Sequence, residues 1–214
     1  MIEVGIPFSD PLADGPVIQS AGTMALKNGM TLKHIFEQLT AINQEVTIPL
    51  VLMGYLNVIM HYGVEAFCKS CVEAGVSGMI IPDLPFDDYM KVVKPIADRY
   101  DLRVIMMITP ETSEERIRFI DEHTDGFIYM VSGASITGAQ QSFGDAKLEY
   151  FRHINSMNLR NPRMIGFGIS NKQTLQSAQD NAAGAIIGSK FVTLLRETKD
   201  PSLALDKLFE ALEK

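Results

Sequence analysis

Short apolar runs alternate with amphipathic helical patterns along the whole chain, and this alternation is its strongest constraint on folding. The runs fall near residues 2–6, 49–54, 77–81, 102–108, 127–131, 163–167 and 184–187. Between them apolar residues recur at helical spacing, as in Leu32, Ile35, Phe36, Leu39 and Ile42. Strands that read as continuous apolar runs are covered on both faces, and helices are what cover them. The pattern therefore predicts parallel β/α units. A closed eight-stranded barrel and a doubly wound open sheet both satisfy it. No G-x-G-x-x-G follows the first strand, which removes the main support for a dinucleotide-binding sheet. The 214 residues suit a single domain, 1–214, with one large core.

Local signals punctuate this alternation. Pro16 suits the first turn of a helix over 16–27, and Asn28-Gly29 supplies its C-cap. Thr112 with Glu115, and Ser170 with Gln173, have the spacing of capping boxes. Pro95 lies within a helical pattern from Asp87 to about Tyr100 and predicts a kink or an early end there. Cys68 and Cys71 are formally C-x-x-C, yet with Val64 and Phe67 they fall at i, i+3, i+4 and i+7 of one helix. That is a core stripe, since cysteine packs as a small hydrophobe and no second pair completes a zinc site. The net charge of −7, with basic residues scattered, argues against nucleic acid or an anionic membrane as a partner. No apolar run approaches the roughly 18 residues of a membrane helix. The N-terminus lacks the basic region of a signal peptide, so a cytoplasmic protein is expected.

The first strand and the loop after it carry the chemistry. Ile2, Val4 and Ile6 alternate with Glu3 and Gly5, and Pro7 ends the ladder. Glu3 is a carboxylate among apolar residues and glycine. On a central strand its ionisation would be costly, which suits a general acid working near neutrality. The loop carries two more carboxylates, Asp10 before Pro11 and Asp14 before Gly15. The string Gly5-Ile-Pro-Phe-Ser-Asp-Pro-Leu-Ala-Asp-Gly-Pro16 closely resembles the signature of the tryptophan synthase α subunit family. That resemblance implies a lyase of L-tryptophan biosynthesis that cleaves indole-3-glycerol phosphate to indole and glyceraldehyde 3-phosphate by a retro-aldol reaction. It places Glu3 and Asp14 on the family's catalytic carboxylates. It also implies a TIM (β/α)8-barrel fold, of which seven strands are visible here. Family members carry about one more β/α unit before the position of Ile2, so the chain reads as an incomplete barrel, shortened at its N-terminus.

Three glycine clusters follow the later strands: Thr137-Gly138, Gly166-Phe167-Gly168 and Gly188-Ser189. Barrels of this kind bind phosphate with the loops after their last strands and a short helix. Glycine lets backbone N–H groups approach, and the helix N-terminus adds partial positive charge. The family pattern matches here too. It implies phosphate binding by Gly138, Gly168, Gly188 and Ser189, and a substrate pocket of Ile18, Tyr129, Thr137, Gly166 and Phe167. Tyr55, Asn57 and Asp83 also fit the family and read as loop structure or partner contact. Many members have Arg after the serine of the long loop; this chain has Ser132-Gly133, which predicts a more mobile loop.

By the same resemblance, the chain needs no metal or organic cofactor. Pyridoxal phosphate belongs to the β subunit, the expected partner in an αββα heterotetramer, which Asp10 would help contact. Glu3 would give a proton to indole C3 and take one from the glycerol hydroxyl, while Asp14 accepts the indole N–H. Two other readings keep part of this evidence. A catalytically silent α-type partner that activates a β subunit would keep the surface loops. A different phosphate-handling barrel would keep the glycines but would not need Phe8 to Asp14.

Overall fold

The computed structural model describes residues 1–132 and 142–213. Their packing forms two compact units, one of Met1–Ala13, Gly22–Met106 and Thr124–Gly126, the other of Asp14–Ala21, Met107–His123 and Phe127–Lys214. Seven strands are present among the described residues, matching the seven apolar runs.

In the first unit, β1 (Ile2–Gly5), β2 (Leu50–Met53), β3 (Val76–Ile80) and β4 (Arg103–Ile108) pair in parallel and in chain order. Glu3 lies opposite Val51. Ile2 N–H donates to the Pro49 carbonyl at 3.0 Å and Ile6 N–H to that of Met53 at 2.7 Å, so β1 is pinned at both ends. β2 and β3 are almost wholly buried, as a two-sided strand should be, but β1 is not. It stands at the end of the ladder, where Ile2 is 49% exposed and Glu3 and Val4 are half-buried. β1 thus has one strand neighbour among the described residues, so the condition of a central strand, on which the cost of ionising Glu3 depended, is not met.

The helices in the first half of the chain follow their sequence signals. Helix α1 (Pro16–Lys27) ends where predicted, with Gly29 left-handed at φ 79° and Met30 N–H reaching back to the Ala25 carbonyl. Thr31 caps α2 (Leu32–Ile42) by accepting from His34 N–H. After β2 come α3 (Leu56–Tyr62) and α4 (Val64–Glu73), whose buried residues are Val64, Phe67, Cys68 and Cys71. The cysteines are therefore core. Pro95 acts on the turn before it: α5 (Phe86–Asp88) passes through a π-helical stretch, Tyr89–Val93, into α6 (Lys94–Arg99). Lys94 N–H bonds the Tyr89 carbonyl five residues back, a wider turn that accommodates the missing proline donor.

In the second unit, β5 (Ile128–Val131), β6 (Arg163–Gly166) and β7 (Gly184–Ala185) are parallel, again in chain order. The last strand is shorter than its apolar run, though Ile186 N–H still donates to the Ile165 carbonyl at 2.8 Å. Helices α7 (Glu114–His123), α8 (Asp145–Ser156), α9 (Lys172–Gln179), α10 (Ser189–Thr198) and α11 (Pro201–Glu213) complete the unit. Both predicted capping boxes shift by one residue. Ser113, not Thr112, meets the first turn of α7 through Arg116 N–H, while Thr112 Oγ1 accepts from Thr109 N–H. Asn171, not Ser170, caps α9 in a reciprocal box with Thr174. Asparagine caps as well as serine, so the register was open on propensity. Ser170 instead donates its N–H to Thr174 Oγ1.

A buried carboxylate ties α7 to the chain entering β6. Asp121 Oδ2 accepts from Arg160 N–H at 2.7 Å, and Oδ1 accepts from Asn161 N–H at 2.8 Å. Asn161 Nδ2–H bonds both Oδ1 and the Asp121 carbonyl. Asp121→Ala strands these donors in the interior and should cost about 2–4 kcal/mol, read as a lower urea midpoint with the slope unchanged.

Burial pushes the Cys68 thiol up to about 11, Arg99 partly offsetting it, and raises Cys71 as well. The native chain should resist Ellman's reagent at pH 8 and yield both thiols once unfolded. Because folding raises the Cys68 pKa, its contribution to stability is full below the unfolded value of 9.0 and is lost as pH rises through about 11.

Candidate functional site

The loop after β1 is held by an aromatic side chain from the β2–α3 turn. The Phe8 ring stacks on Tyr55 at 5.2 Å between centroids, and Ala13 N–H donates to the Tyr55 hydroxyl at 3.0 Å. One residue thus grips both ends of the segment carrying Asp10. Tyr55 is itself fixed because Asp83 Oδ1 accepts Leu56 N–H at 2.8 Å, capping α3 from the turn after β3. Tyr55 and Asp83 accordingly serve loop structure, as their positions suggested. Asp10 is exposed and accepts the Ser9 hydroxyl, and Leu12 beside it is 91% exposed. Glu3, on β1, is half-buried with its Oε2 shielded from solvent.

Asp14 and Ile18 belong to the second unit, and both are half-buried. The Asp14 carbonyl accepts Gln19 Nε2–H at 2.8 Å, and the Gly15 carbonyl accepts Gln19 N–H, which fixes Asp14 just ahead of the first turn of α1.

The same unit brings Tyr129, Gly166, Phe167 and Gly168 together at the ends of β5 and β6. Tyr129 lies opposite Met164 in register, and its ring packs on Phe167 at 5.9 Å. A Cβ on Gly166 would collide with the Tyr129 ring and hydroxyl, so only glycine fits under that ring. Gly168 is left-handed at φ 84°, and Phe167 before it is too, at φ 69°, an unusual state for a bulky side chain. These two glycines thus have structural reasons of their own.

Gly188 does not. Its φ is −100°, which any residue adopts, and a Cβ there meets nothing within 4 Å among the described residues. It precedes α10, a ten-residue helix with no side-chain cap among the described residues. Parallel pairing of β6 and β7 sets this helix start at the same strand ends as Gly166 to Gly168. The partial positive charge of a helix N-terminus favours an anion placed there. Thr137 and Gly138 lie outside the described residues. Ser132, read in the sequence only as the start of the long loop, turns out to bond the Phe167 carbonyl; nothing in its spacing signalled this.

Parallel β/α units with glycine-rich turns after their later strands define a protein of the TIM-barrel class. Comparison with known proteins is specific. The family model described as tryptophan synthase alpha chain matches residues 1–214. The tryptophan synthase alpha chain of Phocaeicola vulgatus is 69% identical over 214 residues, covering 100% of this chain and 83% of that protein. That of Parabacteroides distasonis is 66% identical over 213 residues, again with 83% of its length covered. Among solved structures, the tryptophan synthase subunit of Pyrococcus furiosus superposes with a TM-score of 0.89 at 32% identity, covering 99% of this chain and 85% of that one. The chain belongs to the tryptophan synthase alpha chain family, the lyase subunit of tryptophan biosynthesis. Its fold is an incomplete TIM barrel with seven parallel strands among the described residues. No described helix is long and apolar enough to cross a membrane.

Because Gly188 faces open space, Gly188→Val should change stability by no more than about 1 kcal/mol. It should weaken binding of glycerol 3-phosphate by about tenfold or more, measured by calorimetric titration.

Proposed function

We propose that this chain cleaves indole-3-glycerol phosphate to indole and glyceraldehyde 3-phosphate, with Glu3 and Asp14 as its catalytic carboxylates. The observation that carries this reading is Glu3 itself. A carboxylate stands on an apolar strand with one oxygen shielded from water, directly ahead of a loop clamped by Tyr55. Glu3 gives a proton to indole C3, the C3–C3′ bond breaks, and the C3′ hydroxyl returns a proton to Glu3 as the aldehyde forms. The protons balance, so no outside reactant is required. Asp14 accepts the indole N–H and offsets the positive charge that builds on the ring as C3 is protonated.

The substrate phosphate sits on the amides of Gly168, Gly188 and Ser189, with Gly138 and Thr137 of the long loop completing its surroundings. Ile18, Tyr129, Gly166 and Phe167 line the indole and glycerol portions. Support comes from the start of α10, which no described side chain caps, and from Gly188, where an added Cβ meets nothing within 4 Å among the described residues.

The chain works in the cytoplasm beside a β subunit, in the αββα assembly its family implies. That partner holds the pyridoxal phosphate, and this chain needs no cofactor for the cleavage. Asp10 and Leu12 form part of the docking surface, since an apolar side chain 91% exposed next to a carboxylate suits a protein contact. A silent α-type partner is the weaker reading, because Glu3, Asp14 and the unexplained Gly188 would then have no work to do.

Indole release from indole-3-glycerol phosphate tests the proposal, with and without a β subunit. Glu3→Gln keeps the shape and removes the proton transfer, so turnover should fall by about a hundredfold or more. Retention of more than about a tenth of the parent turnover would reject Glu3 as the proton shuttle.

A further inference from the structure

Phe167 and Gly168 form a left-handed pair at φ 69° and 84°, directly after β6. Left-handed phenylalanine costs on the order of 1–3 kcal/mol and persists only where neighbours enforce it. Two donors from a single residue do so. Ser132 N–H bonds the Gly166 carbonyl at 3.3 Å, and the Ser132 hydroxyl bonds the Phe167 carbonyl at 2.8 Å. Ser132 is buried, so the Phe167 bond is sheltered from competing water. The Tyr129 ring, three residues earlier, packs on the Phe167 side chain.

We infer that Ser132 is a positioning residue that aims the backbone amides of Phe167 and Gly168 at the substrate phosphate. The argument follows from peptide planarity. In a trans peptide the carbonyl of one residue and the N–H of the next point in opposite directions. Holding the Phe167 carbonyl toward Ser132 therefore turns the Gly168 N–H away from it. Holding the Gly166 carbonyl does the same to the Phe167 N–H. One side chain and its own amide thus set the direction of two consecutive donors, before any ligand arrives. Preset donors need no reorganisation on binding, and that is where a fixed anion site gains its affinity.

The inference rests on the proposed phosphate role of Gly168 and deepens it. Ser132→Ala removes the hydroxyl, and Ser132→Cys replaces it with a near-isosteric weak donor. Both should weaken glycerol 3-phosphate binding by about tenfold while indole binding stays within about twofold of the parent. In turnover of indole-3-glycerol phosphate, KM should rise with kcat changed much less. Ser132→Thr, which keeps the hydroxyl, should hold glycerol 3-phosphate within about threefold of the parent. A general loosening of the fold would weaken both ligands together, and that result overturns the inference. So does undiminished glycerol 3-phosphate affinity in both the Ala and Cys variants. A parent chain that fails to bind glycerol 3-phosphate overturns the phosphate reading itself, and this inference with it.

Discussion

Parallel pairing is the constraint from which the other features descend. Each parallel strand needs a neighbour for its slanted backbone hydrogen bonds, and each connection must return the chain to the same end of the ladder. Here the return trips are helices, so within each unit the C-termini of the described strands open onto loops at the same end of their ladder. The Gly166 to Gly168 turn and the start of α10 share a rim because β6 and β7 run the same way. In the first unit the same rule places the Phe8 to Ala13 loop near the β2–α3 turn, where Tyr55 grips it. The ladder's direction, more than any single contact, decides which loops can cooperate.

Within that frame the chain uses polar side chains mainly to hold backbone. Asp83 caps α3, Asp121 holds the approach to β6, and Ser132 holds the turn after it. Each reaches across a long sequence separation to a donor or acceptor that the ladder leaves open. Buried polar groups such as Asp121 and Ser132 raise the cost of misplacing a loop, because breaking the contact strands a group away from water. These loops are consequently anchored by side chains that come from elsewhere in the sequence.

Glycine serves three different purposes along the same rim. Gly166 is small because the Tyr129 ring lies over it, and Gly168 is achiral because its φ is positive. Gly188 meets neither requirement, and open space stands before it. A sequence shows the same letter three times. Only the atoms around each position separate packing, backbone conformation and open surroundings.

The amino-acid sequence by itself determined the element types, the parallel β/α class and the core role of Cys68 and Cys71, because these follow from local periodicity. The Gly5 to Pro16 string likewise pointed to the family on its own, since a long specific motif needs no coordinates. Several features were decided only by tertiary structure. Capping moved from Thr112 to Ser113 and from Ser170 to Asn171, because adjacent residues of equal propensity are separated only by which side chain reaches a free N–H. Ile2 on the end strand β1 is 49% exposed, since the cover over a strand's residues is a property of non-local packing and not of the strand itself. The bond from Ser132 to Phe167 spans 35 residues, and no local pattern encodes a contact between two loops that meet only when β5 and β6 pair.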